Sequence, residues 1–257
     1  LEELVVEAVQ TEAFELVYQP IVETQTGEIA YFEALLRLQG KELSPREFIP
    51  IAEELELTPS LGRWVITTVL EQIVCWRQAG KSPKPIAVNL SPKQFFDREL
   101  IVFLQEQLAE KQIECRLLEL EITEAVFVDC PEDALKVMSE LKALGVKLAL
   151  DDYGTGYSSI DYLTKMHADR LKLHESLTEK FWDYRPVMEG LIAIAHGLGL
   201  SVVAEGVERL EEARFLRRVD CDYLQGYLFS KPVAPDQVLE LLDANYHHLL
   251  GRTKKES

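Results

Sequence analysis

At 257 residues with 47% hydrophobic composition, the chain can bury one large core, a size at which an α/β barrel folds as a single domain. Its 44 acidic residues against 27 basic ones leave a formal charge of −17, which repels polyanions and argues against a nucleic-acid-binding surface. No run approaches the roughly 18 apolar residues of a membrane-spanning helix, and the acidic, amphipathic opening LEELVVEAVQ is unlike a secretory signal, so a cytoplasmic location is expected. Cys75, Cys115, Cys130 and Cys221 are scattered, with no Cys-x-x-Cys pair and no neighbouring histidine. They are expected as reduced small hydrophobes, not as a zinc site or a disulfide framework.

In chain order, strand-like runs at residues 14–18, 29–36, 85–90, 117–122, 146–151, 170–173, 201–205 and 223–229 alternate with amphipathic stretches at 45–55, 62–79, 99–110, 131–144, 186–198 and 208–219. Eight strands with helices between them indicate an α/β barrel or a large doubly wound sheet. Trp64, Trp76 and Trp182 are expected to pack helices, and the acidic faces at 53–56 and 208–212 to be solvated. His247 and His248 fall in a polar tail.

Period-2 alternation places polar side chains opposite the aliphatics near the ends of these strands. The run VKLALDDYGTGYSS at 146–159 is the densest case. Val146, Leu148 and Leu150 point one way and Asp151 the other. Asp152 follows at once, Gly154 and Gly156 permit a sharp turn, and Ser158 or Ser159 is placed to cap a helix. Tyr31, Glu33, Leu35 and Arg37 share a face; Asn89 opposes Val88 and Leu90; Glu119 and Glu121 oppose Leu118, Leu120 and Ile122. Arg170, Lys172 and His174 oppose Leu171 and Leu173, Glu205 opposes Val202 and Ala204, and Gln225 completes the set. A single acid of this kind is ordinarily a solvated rim residue, and Asp-Asp-x-Gly ordinary turn chemistry. Six strand ends converging on carboxylates, carboxamides and single cations would leave costly unpaired charge unless metal ions or a ligand joined them.

Glu33, Asn89, Glu121, Asp151 and Asp152 offer only oxygen, which favours magnesium or manganese over zinc or copper. Adjacent Asp151 and Asp152 can share two ions about 3.5–4 Å apart, the arrangement of two-metal phosphoryl chemistry. Phosphodiester hydrolysis is the leading reaction.

The ordered motifs YQPIV (18–22), EALLR (33–37), FIPIAE (48–53), VNLSPKQF (88–95), LELEITE (118–124), DDYGTGYSS (151–159), AEGVE (204–208) and CDYLQGY (221–227) resemble those of the EAL domain. That family comprises bacterial phosphodiesterases that hydrolyse cyclic di-GMP. The resemblance runs nearly end to end and implies a modified TIM-like (β/α)8 barrel with one antiparallel strand, a single domain with its core at about residues 12–245. It implies Glu33, Asn89, Glu121 and Asp151 as ligands of one Mg2+ or Mn2+, with Asp152 serving a second ion that Asp151 and Glu205 share. Lys172 matches the lysine that fixes the attacking water, Glu205 the acid credited with general-base or second-metal work, and Glu124 the glutamate that holds the loop at 151–159. Gln19, Leu36, Arg37 and Gln225 match substrate-binding positions, Arg37 as a forked donor to a phosphate. Also implied are linear 5'-pGpG as product, a homodimer formed through the loop after Asp152, and covalently linked sensory or cyclase domains.

The chain leaves the family pattern after its sixth barrel strand. The family writes Lys-Ile-Asp there, and this chain has Lys172, Leu173 and His174, exchanging an acid near the second cation for an imidazole. Leu177 stands where phenylalanine is common, the connection to AEGVE is short, and Tyr153 and Asp220 are milder exchanges. The alternative reading is therefore a catalytically weak or inactive receptor domain that binds cyclic di-GMP. A purely structural interaction module would not need the converging acids.

Overall fold

The computed structural model describes residues 1–41, 43–128, 130–154 and 163–250. Eight strands close a barrel in sequence order: β1 (Phe14–Glu23), β2 (Ile29–Leu38), β3 (Ile86–Leu90), β4 (Leu118–Thr123), β5 (Lys147–Tyr153), β6 (Arg170–Leu173), β7 (Ser201–Ala204) and β8 (Tyr223–Leu224). β1 runs antiparallel to both β2 and β8, and every other pair is parallel. One reversed strand in a TIM-like barrel is the expected architecture. The β1–β2 connection turns at Gly27 with φ of 73°, where a Cβ would lie 2.2 Å from the His247 backbone, so only glycine fits.

Helices cover the outside because each carries an apolar stripe that the strands' outward aliphatics bury. Phe32, Val88, Leu120, Leu148, Leu171 and Val202 belong to this main core. The helix Pro45–Glu54 starts at Ser44, whose N–H and hydroxyl both reach the Glu47 carboxylate, and the helix Pro131–Leu144 stops on Gly145 at φ of 96°. A second apolar cluster joins the helix Glu2–Thr11 to Pro45–Glu54 through Val5, Ala8, Phe48 and Ala52.

Several boundaries differ from expectation. β1 and β2 run on to Glu23 and Leu38 because they form one long hairpin. β8 ends at Leu224: the chain bends at Gly226, where a Cβ would collide with the Val207 backbone at 2.0 Å. The helix expected at 186–198 begins at Phe181 and carries Pro186 inside it, and the one expected from Gly62 starts at Thr58. Trp76 is fully buried, but Trp182 is 63% exposed and so does not pack a helix core. Glu212 is buried, not solvated, because its carboxylate accepts the N–H groups of Glu208 and Arg209 at the start of the helix Leu210–Arg218. Of the free cysteines only Cys221 is buried, while Cys75 and Cys130 are exposed, so the small-hydrophobe expectation fails for those two. His247 opens the short helix His247–Leu250. No helix among the described residues is long and apolar enough to cross a membrane. Gly156, Ser158 and Ser159, in the part of the loop at 151–159 that follows Gly154, lie outside the described residues.

Alternation gives each strand two positions facing the barrel lumen. The upper tier, half-way along β2 and at or just beyond the C-terminal ends of β3 to β8, is polar: Glu33, Asn89, Glu121, Asp151, Lys172, Glu205 and Gln225, with Gln19 from β1 opposite Glu33. The lower tier includes Ile21, Tyr31, Ala87 and Val203, which pack together.

Candidate functional site

Lys172 is the centre of the upper tier. Its ammonium is fully buried and lies 2.7 Å from Glu121, 2.9 Å from Glu205, 3.2 Å from Asp151 and 3.4 Å from Glu33. Glu33 also accepts from Asn89 and Gln225, each at 2.7 Å, and Gln225 donates onward to Gln19 at 3.1 Å. Gln19 in turn donates to the Ser230 carbonyl at 3.3 Å. Register explains these meetings, since Gln19 stands opposite Glu33 and Asn89 opposite Glu121 across adjacent strands.

Two consecutive residues on a regular strand face opposite ways, so Asp151 and Asp152 should not share a site. A bulge brings them together. The β5–β6 register slips between Leu150 and Tyr153, and Asp152 adopts φ of 59°, a left-handed conformation that aspartate tolerates better than most residues. Asp151, Asp152 and Glu205 then each offer an oxygen within 4.8 Å of the others, a possible acidic metal site. Sequence periodicity gave no sign of this slip, nor of Thr178, whose buried hydroxyl donates to the Glu205 carbonyl at 2.6 Å and pins that strand end.

His174 faces the same region. Its Nδ1 accepts the Ser176 N–H at 3.1 Å, capping the short helix Glu175–Glu179, while Nε2 points toward Asp152 at 3.7 Å. The imidazole at this departure from the family pattern is thus tied into a helix start. Glu124 is half-buried beside Asp152; burial first, then repulsion from Asp152, raises its carboxyl above the usual range. Arg37 donates to the Leu36 carbonyl at 2.8 Å, and Leu36 packs between the two apolar clusters, so neither joins the Lys172 network.

Charge in the upper tier does not balance. Burial lowers the affinity of Lys172 for its proton, but Asp151, Glu121, Glu205 and Glu33 outweigh this and hold it far above the ordinary lysine range. Burial pushes Glu205 up to about 8 despite Lys172, and pushes Glu121 well up, with repulsion from Glu33 added. Burial also raises Asp151. For Glu33 the burial cost is overcome by Lys172 and by the hydrogen bonds from Gln225 and Asn89, leaving it below the usual value. Glu121 Oε1 is buried with no hydrogen-bond partner. Four carboxylates around one ammonium, with an unsatisfied buried oxygen, fit a site that takes up divalent cations through oxygen ligands.

Residues 2–232 match the family model described as the EAL domain. The chain belongs to the EAL domain family. Among curated relatives of this EAL domain, it is 36% identical over 233 residues to the cyclic di-GMP phosphodiesterase PdeR of Escherichia coli (88% of this chain, 35% of that protein). It is 35% identical over 237 residues to the signaling protein YkoW of Bacillus subtilis (90% of this chain, 30% of that protein). The chain therefore spans about a third of the length of these relatives. A solved structure titled PaMucR phosphodiesterase, c-di-GMP complex superposes with a TM-score of 0.86 at 32% identity, covering 92% of this chain and 99% of that one. The EAL enzyme Bd1971, with cAMP and cyclic di-GMP bound, gives 0.89 at 32% identity over 95% of this chain and 68% of that one.

Proposed function

We propose that this EAL domain hydrolyses cyclic di-GMP to linear 5'-pGpG with two Mg2+ or Mn2+ ions. The observation that carries the reading is the set of four lumen carboxylates, three of them buried, within 3.4 Å of the Lys172 ammonium, with Asp152 brought alongside by the β5 bulge. Glu33, Asn89, Glu121 and Asp151 would hold one ion, and Asp152, Asp151 and Glu205 the other. Bound there, such ions make water a stronger nucleophile and offset charge on the phosphate. The chain's own groups do the rest. Water adds to phosphorus, the bond from phosphorus to the ribose 3' oxygen breaks, and that oxygen takes up a proton, leaving a 5' phosphate.

Lys172 orients the attacking water and keeps Glu33, Glu121, Asp151 and Glu205 together. Glu205, 2.9 Å from the Lys172 ammonium, stands where it can take the proton that the attacking water gives up. Arg37 exchanges the Leu36 carbonyl for a phosphate oxygen, and Gln19 and Gln225 supply amide donors and acceptors for the dinucleotide. Relatives titled as cyclic di-GMP complexes support the substrate class.

The test is incubation with cyclic di-GMP and separation of products by chromatography. Activity is expected with Mg2+ or Mn2+, whereas Ca2+ should support little turnover because its looser coordination positions water poorly. Full activity in excess chelator would overturn the two-metal mechanism. His174 motivates the second reading, a weak or inactive receptor, and that reading wins if the dinucleotide binds without turnover under every metal.

A further inference from the structure

A second charged group lies beneath the carboxylates and takes no part in the proposed chemistry. Glu119 is fully buried on β4, and its Oε2 accepts from Arg170 Nη1 on β6. The Arg170 guanidinium lies 4.4 Å from the Tyr31 ring centroid and 4.9 Å from that of Tyr223, and these two rings meet edge to face at 5.8 Å. Each of the four stands two residues before a member of the upper tier along the chain. Tyr31 lies below Glu33, Glu119 below Glu121, Arg170 below Lys172 and Tyr223 below Gln225. The guanidinium therefore ties β6 to β2, β4 and β8 through the lumen.

Aliphatic side chains would fill this floor without desolvating two charges, and a buried ion pair is commonly no better for stability than apolar packing. The arrangement calls for a reason other than stability. β6 has four residues, and its ladder to β5 skips Lys172 where the register slips, leaving Val203 on β7 as the regular partner of that position. The Lys172 side chain is fully buried and leaves from β6, so the place of its ammonium among four carboxylates depends on where β6 stands.

We propose that Arg170, clamped between Tyr31 and Tyr223 and anchored on Glu119, is a positioning residue that sets the height of Lys172 against Glu33, Glu121 and Asp151. In its catalytic consequence this inference rests on the hydrolytic reading above. The Tyr31 hydroxyl is buried without a hydrogen-bond partner, so the ring, not the hydroxyl, makes the clamp.

Three variants test it in the whole domain. Arg170→Lys keeps a cation beside Glu119 but loses the planar fork; Tyr31→Leu removes one face of the clamp; Tyr31→Phe keeps the ring. Misplacement of Lys172 costs rate more than binding, so Arg170→Lys and Tyr31→Leu are expected to lower kcat about tenfold or more with KM within about twofold, and Tyr31→Phe to recover most of the loss. An unchanged kcat for Arg170→Lys, or a Tyr31→Phe variant as slow as Tyr31→Leu, overturns the proposal, whatever the melting temperatures do. A second readout does not need turnover: in protein carrying 15N-labelled lysine side chains, the signal of the buried Lys172 ammonium is expected to move in Arg170→Lys and Tyr31→Leu and to stay in Tyr31→Phe. Should the unsubstituted domain fail to hydrolyse the dinucleotide, the hydrolytic reading falls while this signal still decides the placement of Lys172. If Arg170→Lys does not fold, the Tyr31 pair carries the same decision.

Discussion

Glu33 accepts from Asn89, Gln225 and Lys172 in the barrel lumen. Its carboxylate serves the site more than the core. Glu33→Ala is expected to abolish hydrolysis with circular dichroism and the oligomeric state retained, and normal turnover of this variant would mean the site has been assigned wrongly. His174 is the other informative position. Aspartate there would keep the helix cap, since a carboxylate accepts the Ser176 N–H as well as imidazole does, and would add a negative charge close to Asp152. His174→Asp should therefore strengthen Mn2+ binding and raise turnover at limiting Mn2+. The gain is about tenfold at most, because one charge in a partly solvated site is worth roughly 1–2 kcal/mol. Overlapping Mn2+ titrations of hydrolysis for the two proteins would make His174 a bystander.

The strands that carry the site are held at their other ends by a separate anchor. Asp169, just before β6, accepts the Leu148 N–H at 2.9 Å and bonds from Lys142 and Lys147, and its carbonyl takes the Ser201 N–H at 3.1 Å, so one residue joins β5, β6 and β7. Burial alone would raise its carboxyl, but Lys142, the Leu148 N–H and Lys147 hold it below the usual aspartate range. A depressed acid adds stability above its unfolded value and loses it as pH falls through the folded one. Asp169→Asn should cost about 1–2 kcal/mol at pH 7, with the gap to the parent closing below the ordinary aspartate range. Melting temperatures against pH check this, and a gap that does not vary with pH would mean that charge is not the cause. Much of the barrel was legible in the sequence because alternation alone assigns the lumen, and it picked out Glu33, Asn89, Glu121, Asp151, Lys172 and Glu205 before any contact was known. What stayed hidden depends on hydrogen-bond register and on tertiary cover. Periodicity cannot show a slipped ladder that turns Asp152 inward, and an aromatic pattern cannot show that Trp182 lies on the outside of its helix.

The charge of −17 and the crowded barrel mouth make two distinct demands on cations. Diffuse surface repulsion is relieved by any salt, over a Debye length of about 10 Å at 0.1 M. The upper tier needs ions at fixed positions, because Glu33, Glu121 and Asp151 are buried and Lys172 alone does not balance the four acids around it. Mn2+ should thus stabilise the fold beyond what an equal ionic strength of NaCl provides. At a free concentration a hundredfold above Kd, linkage adds about 2.7 kcal/mol. For a chain of this size that corresponds to a rise in melting temperature of about 5–10 °C. Calorimetry in matched ionic strength separates the two contributions. A Glu121→Gln, Asp151→Asn double variant should keep the NaCl response, since the surface is unchanged, and lose the extra Mn2+ response. If the double variant still gains the full Mn2+ increment, the ions bind elsewhere on the acidic surface, and the lumen acids are not the metal site.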